Sequence, residues 1–269
     1  MQALTLTLRQ GFDWLREGFR IFRRNPALLV FLVFSYWVLM AILNGIPWLG
    51  PALATVLLPL FSVGLMNACR EIDHGRPVKP LILFSAFRGE LRTLLVLGAI
   101  YLAAMTAILA IASLADDGIL LRWMLAGEPP AEEAIESGEL LGAAQIALLL
   151  LLPLTMAYWY APMLAAWQGL PAGKALFFSF FAGLRNWRAF LGYGAATAAF
   201  GALLPGVVLG LLAGLLPEGA NGIARVLTLP YLMLFAPTLF ASFYVSYRDV
   251  FVEVGNSDAP KIMTDANGD

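Results

Sequence analysis

Long apolar runs alternate with short polar or amphipathic segments along this chain. Six of the runs are long enough to cross about 30 Å of hydrocarbon as a helix that rises about 1.5 Å per residue. They cover residues 26–45, 48–69, 93–115, 140–166, 189–216 and 223–247. The pattern therefore predicts an all-α polytopic membrane protein with six transmembrane helices.

Local signals mark the beginning of the first span and its turn into the second. Asn25 stands directly before Pro26, and Asn can cap the free amides of a helix while Pro at the first helical position has no amide hydrogen to lose. The residues Asn44-Gly45-Ile46-Pro47 then predict a tight hairpin between spans one and two.

Three shorter segments between the spans are amphipathic, and we call them elbow helices. They cover residues 11–24, about 80–92 and about 171–186, and each one precedes a pair of spans. In the first, Phe12, Leu15, Phe19 and Phe22 recur at helical spacing, and Arg16, Arg20, Arg23 and Arg24 share the remaining positions. This pattern is typical of a helix that lies in the headgroup plane, so we expect an interfacial helix plus a transmembrane hairpin, used three times.

Part of this unit repeats without a gap at an offset of 94 residues. Leu57-Leu58-Pro59-Leu60 returns as Leu151-Leu152-Pro153-Leu154, and ten of the 33 positions from 57 to 89 are identical at that offset. In a chain this rich in Leu and Ala, chance alone would make roughly a tenth of the positions identical. The other identities pair Gly75, Pro77, Phe84, Ser85, Phe87 and Gly89 with Gly169, Pro171, Phe178, Ser179, Phe181 and Gly183. We therefore expect units at about 11–75, 79–169 and 173–249 in one domain over 1–250, followed by a polar, disordered tail over 251–269.

Composition agrees with a membrane protein and excludes a nucleic-acid partner. Hydrophobic residues make up 60% of the chain and charged residues 13%, with a mean hydropathy of +0.78. A soluble domain carries about a quarter charged residues. The formal net charge of −1 lacks the basic excess that a nucleic-acid interface requires.

Basic residues are distributed unequally between the two sides of the predicted bundle. Of the 17 Lys and Arg residues, 15 lie on the side of the bundle that is predicted to hold the N- and C-termini. The other two, Arg122 and Arg225, lie on the opposite side. Eight acidic residues fall on that opposite side: Asp116, Asp117, Glu128, Glu132, Glu133, Glu136, Glu139 and Glu218. By the positive-inside rule, both termini are expected in the cytoplasm.

Chemistry-bearing motifs are absent from the sequence, and we predict no enzyme, no catalytic residue, no cofactor and no metal. Cys69 and His74 are each the only residue of their type, which excludes an intramolecular disulfide and a cysteine or histidine metal cluster. The chain contains no Gly-x-Ser-x-Gly, His-Glu-x-x-His or phosphate-binding glycine loop. The acidic loop over 115–139 lacks the spacing of a calcium loop, so we interpret it as solvated rather than as a cation site.

Prolines within the spans leave a transporter open as the alternative function. Proline removes a backbone hydrogen bond and kinks a helix, and broken helices near the bilayer midplane form many transporter sites. The candidate kinks are Pro59, Pro153, Pro162, Pro230 and Pro237. Prolines are also tolerated in spans for packing alone, and the middle of each span lacks the ionisable group that ion-coupled transport usually needs.

Arginines at the elbow helices are the candidate contacts to lipid headgroups. They are Arg23, Arg24, Arg88, Arg92, Arg185 and Arg188, and each lies near the start of a following span. Guanidinium groups there would reach lipid phosphates, while the phenylalanine pairs of the elbows would enter the acyl boundary with both rings. These pairs are Phe19 and Phe22, Phe84 and Phe87, and Phe178 and Phe181. The expected partners are therefore membrane lipids, anionic ones in particular, and a membrane-protein partner is the further possibility. The simpler alternative is that these arginines only fix the topology.

Three segments of the chain resemble an uncharacterised family of six-span inner-membrane proteins from proteobacteria. They are Gly-Phe-x-x-Phe-Arg-Arg-Asn-Pro at 18–26, the run over 58–70 and the run over 174–190. The general plan is also similar to the membrane portion of some glycerophosphodiester phosphodiesterases, although the catalytic domain of those enzymes is absent here. The resemblance implies a fold and an inner-membrane location, and it brings no activity or site residue. We expect a lipid-interacting or complex-supporting membrane component.

Overall fold

The computed structural model describes residues 2–126, 129–130, 138–215 and 220–252. Part of the predicted acidic loop, with Glu128, Glu132, Glu133 and Glu136, lies outside the described residues. The predicted disordered tail also lies outside them from residue 253 onward. The described residues include the six spans, most of the segments between them and the N-terminal strand.

Six helices in the described part of the chain are long and apolar enough to cross a membrane, as predicted. Span one is Pro26–Asn44, span two Gly50–Asp73, span three Leu91–Ala112, span four Leu140–Gln168, span five Trp187–Leu212 and span six Val226–Val250. Over the residues that the structure describes, the fold is all-α apart from one short pairing, in which Gln2–Ala3 lies antiparallel to Phe251–Val252. The prediction of a six-span helical membrane fold is confirmed.

The local signals at span one act as the sequence predicts. The side-chain oxygen of Asn25 accepts a hydrogen bond from the amide of Leu28 at 3.4 Å, and Pro26 is the first helical residue. At the other end, the hairpin brings Gly50 against the backbone carbonyl of Leu43, where a Cβ atom would lie 2.4 Å from the oxygen. Only glycine permits this close approach, which fixes the turn between spans one and two.

Helices occupy all three elbow positions, although they differ in type. The first is α1 (Leu8–Arg24), the second is the 3₁₀ helix Pro80–Arg88, and the third is the α-helix Ala172–Arg185. Two repeat-related serines bond back to the preceding span: Ser85 accepts from Asn67 at 2.8 Å, and Ser179 donates to the carbonyl of Met156 at 2.8 Å. The common ancestry of the units stays a prediction.

Two spans depart from continuous α-helix near a proline. Span four leaves the helix at Tyr160 and resumes at Ala161, with Pro162 as the second residue of the new segment. Span five contains a π-helical turn, Ala199–Leu203, two residues before Pro205. Proline cannot donate its amide to the preceding turn, so a local change in hydrogen bonding is expected at both places. The other candidate kinks, Pro59, Pro153, Pro230 and Pro237, lie inside uninterrupted helices.

The packed core lies in the half of the bundle where Gln2–Ala3 pairs with Phe251–Val252. On span six, buried residues occur from Ala236 to Val250, whereas Val226 to Leu229 are exposed. Phe251, which the sequence analysis placed in the polar tail, is also buried. Beside it, the Asn186 side chain accepts from the amide of Leu6 at 2.8 Å and donates to the carbonyl of Leu4. These contacts join the N-terminal strand to the beginning of span five.

Candidate functional site

Helix α1 packs against spans five and six through one face and exposes the other. Trp14 on the packed face is fully buried, and its ring meets Phe190 and Tyr193 edge to face at centroid distances of 5.6 and 5.7 Å. At Gly18, a Cβ atom would lie 2.5 Å from the backbone nitrogen of Ser242. The helix is thus seated against the bundle through close backbone contacts.

The exposed face of α1 alternates aromatic and basic side chains. Phe12, Arg16, Phe19 and Arg23 follow one another three or four residues apart and are all exposed, so they form one stripe along the helix. The sequence predicted that both rings of the Phe19 and Phe22 pair would face lipid, and this is wrong for Phe22. Its ring is buried in the core, where the ring of Phe19 stacks on it at 6.1 Å.

The arginines of α1 surround an open hollow of about 490 Å³. Its lining consists of Arg16, Phe19, Arg20, Arg23 and Arg24. Arg20 pairs with Glu17 at 2.8 Å, and Arg24 pairs with Asp73 at 3.1 Å. Among the described residues, no carboxylate lies within ion-pair distance of Arg16 or Arg23, and the guanidinium of Arg23 lies 6.0 Å from the ring centre of Phe19. The hollow therefore offers unneutralised positive charge.

An apolar groove of about 520 Å³ adjoins the basic hollow and runs between α1 and spans five and six. Phe12 and Phe19 form one wall, and Phe200, Leu204 and Phe235 are among the residues that form the other. Arg16 and Phe19 line both the groove and the hollow, so the two spaces share a boundary. Asp13 also lines the groove. Arg16 was not among the arginines predicted to contact lipid, although its helical spacing from Phe12 and Phe19 was a visible signal in the sequence.

The other candidate arginines are distributed over two different places in the fold. Arg88 and Arg92 are exposed around the start of span three. Arg185 donates from its Nε to the hydroxyl of Thr5, and the guanidinium of Arg188 lies 5.4 Å from the ring centre of Trp187. The six predicted arginines thus belong to three separate surfaces, of which the α1 surface is the one that joins basic groups to an apolar groove.

Asp73 at the end of span two contacts three polar side chains, and it was not predicted as a site residue. Its carboxylate accepts from Arg24 at 3.1 Å, from Arg248 at 3.0 Å and from the hydroxyl of Tyr244 at 3.2 Å. These partners come from α1 and span six, so Asp73 ties three elements together at the end of the bundle. In the sequence, the feature that could have pointed to Asp73 is its place as an acidic residue between the basic residues Arg70 and Arg76.

A further cavity of about 540 Å³, which we call the central cavity, lies among spans two to six. Two of the five candidate kink residues, Pro59 and Pro162, line it. Its lining is mainly apolar, and its hydroxyl groups are mostly engaged. Thr55 and Thr155 donate to carbonyls of their own helices, and Tyr158 donates to the carbonyl of Leu97 at 2.9 Å.

An aromatic cluster lies on the side of this central cavity that is nearer to Phe251. The ring of Trp159 meets Phe190 at 5.3 Å and Phe243 at 5.1 Å, both edge to face. Behind them lies the buried Trp14, whose ring also contacts Phe190. Aromatic rings therefore pack against one another on this side of the cavity.

Taken together, the spans and their apolar surfaces define a multi-pass integral membrane protein. The chain is similar to a probable inner membrane protein of Burkholderia thailandensis, with 39% identity over 268 residues that cover 97% of this chain and 98% of that relative. It belongs to the family of this inner-membrane protein, which confirms the predicted resemblance and the inner-membrane location. No protein-family model matches the chain, and no solved structure matches it.

Proposed function

We propose that the protein is a non-enzymatic component of the inner membrane that binds anionic lipid at its cytoplasmic surface. The observation that carries this proposal is the α1 surface, where Arg16 and Arg23 lack carboxylate partners among the described residues and adjoin an apolar groove. Basic groups near an anionic leaflet contribute about 1 kcal/mol each to binding. An aromatic and basic stripe on one helix face suits the boundary between headgroups and acyl chains.

A cytoplasmic position for this surface is part of the proposal. The basic residues lie mostly on the side of the chain ends, and the positive-inside rule assigns that side to the cytoplasm. The contacts of Asn186 with Leu4 and Leu6 hold the N-terminal strand at the start of span five, beside the end of span six. Both termini and the α1 surface would therefore face the same leaflet.

Two sets of buried hydroxyl contacts at helix junctions support a non-enzymatic role. Ser179 is buried between the amide of Tyr160 and the carbonyl of Met156, and the hydroxyls of Tyr193 and Ser242 lie 2.7 Å apart. Each of these contacts stabilises a helix junction. Within the described residues, no three His, Cys, Asp or Glu side chains gather as metal ligands.

A lipidomic comparison tests the proposal. In the full chain, Arg23, Arg88 and Arg185 are replaced together by Gln, and the matched control replaces the same three by Lys, which retains the charge. We expect the parent and the Lys variant to co-purify with phosphatidylglycerol or cardiolipin in excess over phosphatidylethanolamine, and the Gln variant to lose most of this excess. Equal enrichment in all three proteins would show that the arginines are only topological anchors.

Transport of a small neutral molecule or a lipid is the second candidate, and the central cavity favours it. The cavity is lined by Pro59 and Pro162, and it holds no charged side chain among its lining residues. A single cysteine at Thr55 or Thr197, introduced with Cys69→Ala, reports which side of the membrane reaches the cavity. Transport predicts that a membrane-impermeant maleimide labels the cysteine from both sides. Labelling from one side or from neither would argue for a static cavity.

A further inference from the structure

We propose that α1 and spans five and six form a binding site for one anionic glycerophospholipid molecule. Its phosphate would occupy the basic hollow, and one of its acyl chains would occupy the adjoining groove. This inference rests on the proposed function and deepens it, since it replaces a general attraction of lipid to three elbows by one defined site on the first.

The charge balance of the hollow favours a phosphate group. Arg20 is partly neutralised by Glu17, and Arg24 is held by Asp73. Arg16 and Arg23 have no carboxylate within 4.0 Å among the described residues, although Asp13 lies on the groove side of Arg16. They stand two helical turns apart, roughly 10 Å along the axis. A phosphate between them can accept charge-assisted hydrogen bonds from both guanidinium groups.

The groove has the lining and the direction that an acyl chain requires. Aromatic and aliphatic side chains dominate it, including Phe200 and Leu234, and its 520 Å³ lies within the range of about 300–1,000 Å³ for small-molecule sites. Phe200 comes 13 residues after Trp187 at the beginning of span five, which corresponds to about 20 Å along the helix. The groove thus leads from the arginines toward the middle of the bilayer, as an acyl chain does.

The second elbow provides a contrast within the same molecule. An apolar groove of about 580 Å³ lies beside it, lined by residues such as Phe31, Val38 and Phe84. No basic side chain is among its lining residues. A phospholipid chain could enter this second groove, but none of the residues that line it offers a charge to an anionic headgroup. Selectivity for an anionic headgroup is therefore expected at the α1 site alone.

The test is a titration of the full chain with phosphatidylglycerol or phosphatidylethanolamine, read by native mass spectrometry after detergent removes the native lipid. The parent is expected to bind one phosphatidylglycerol molecule more tightly than any further one. The variant Arg16→Gln/Arg23→Gln should weaken this first step by about 25-fold, because each arginine contributes about fivefold. The control Arg88→Gln/Arg92→Gln removes the same charge and should weaken the step less than about threefold.

Groove filling tests the acyl-chain half of the site. Leu204→Trp places an indole in the α1 groove from an exposed position and should remove the tight first step, while Val38→Trp fills the second groove and should leave that step intact. Three outcomes would each overturn the proposed site while the proposed function stands. The first phosphatidylglycerol could bind equally weakly to both double-arginine variants, or Leu204→Trp could leave its binding unchanged. Inorganic phosphate could also displace the bound lipid completely. If the parent shows no preference for phosphatidylglycerol, the proposed function fails as well. Detergent unfolding midpoints verify that each variant remains folded.

Discussion

Arg24 and Asp73 form an ion pair that joins the end of α1 to the end of span two, with the guanidinium Nη1 3.1 Å from the carboxylate Oδ1. The same nitrogen also donates to the backbone carbonyl of Asp73. A cation beside the last carbonyls of a helix compensates groups that have no partner within the helix. Arg248 of span six reaches the other carboxylate oxygen at 3.0 Å, so one carboxylate connects three elements.

Neutralising this carboxylate should loosen the end of the bundle. We expect Asp73→Asn to lower the free energy of unfolding by about 1–2 kcal/mol, since hydrogen bonds to charged groups are strong but both arginines are partly exposed to screening solvent. Glu71→Gln removes the neighbouring pair with Arg76 and should cost less than about 0.5 kcal/mol. Unfolding by SDS in mixed micelles measures both values. Equal losses in the two variants would contradict the role given to Asp73.

The close approach of α1 to span six should tolerate no added methyl group. Gly18→Ala would place its Cβ atom 2.5 Å from the backbone nitrogen of Ser242, and backbone cannot move aside as a flexible side chain can. Overpacking of this kind costs about 1–3 kcal/mol. Gly194→Ala is the matched control, because no atom lies within 4 Å of the new Cβ and alanine favours the helix. A Gly18→Ala protein as stable as the parent would refute the described packing of α1.

Topology reporters test the orientation on which the lipid proposal depends. A reporter active only in the cytoplasm should give signal when fused after Val250 and none when inserted near Glu132. The reason is the accumulation of basic residues on the side of the chain ends. The reverse pattern would place α1 on the periplasmic side and remove the anionic cytoplasmic leaflet as its partner surface.

Hydropathy was sufficient to predict the six spans, because a bilayer requires long apolar helices whatever their neighbours. The boundary at Asn25 and Pro26 was also predictable, since capping depends only on adjacent residues. Pro162 was among the candidate kinks, and span four leaves the helix two residues before it, whereas the π-helical turn in span five was not predicted, although Pro205 was a visible signal. Proline shows where a helix loses a hydrogen bond, while neighbouring helices decide how the chain responds.

Contacts between distant parts of the chain explain what the sequence did not show. Asp73 and Arg248 are separated by 175 residues, and no local pattern connects them. The same holds for the α1 groove, where Phe12 faces Phe200 and Phe235 from spans five and six. The sequence predicted arginines at all three elbows, whereas the combination of a basic hollow with an apolar groove depends on how α1 packs in the bundle.

Electron cryomicroscopy of the full chain in nanodiscs is the most direct test of lipid binding by α1. Two samples are compared, one with phosphatidylglycerol and phosphatidylethanolamine and one with phosphatidylethanolamine alone. We predict continuous density in the mixed sample, from a headgroup between Arg16 and Arg23 to a chain beside Phe200, and its loss in the second sample. A groove that is empty or filled by protein in the mixed sample, or identical density in both, would contradict anionic lipid binding at this surface.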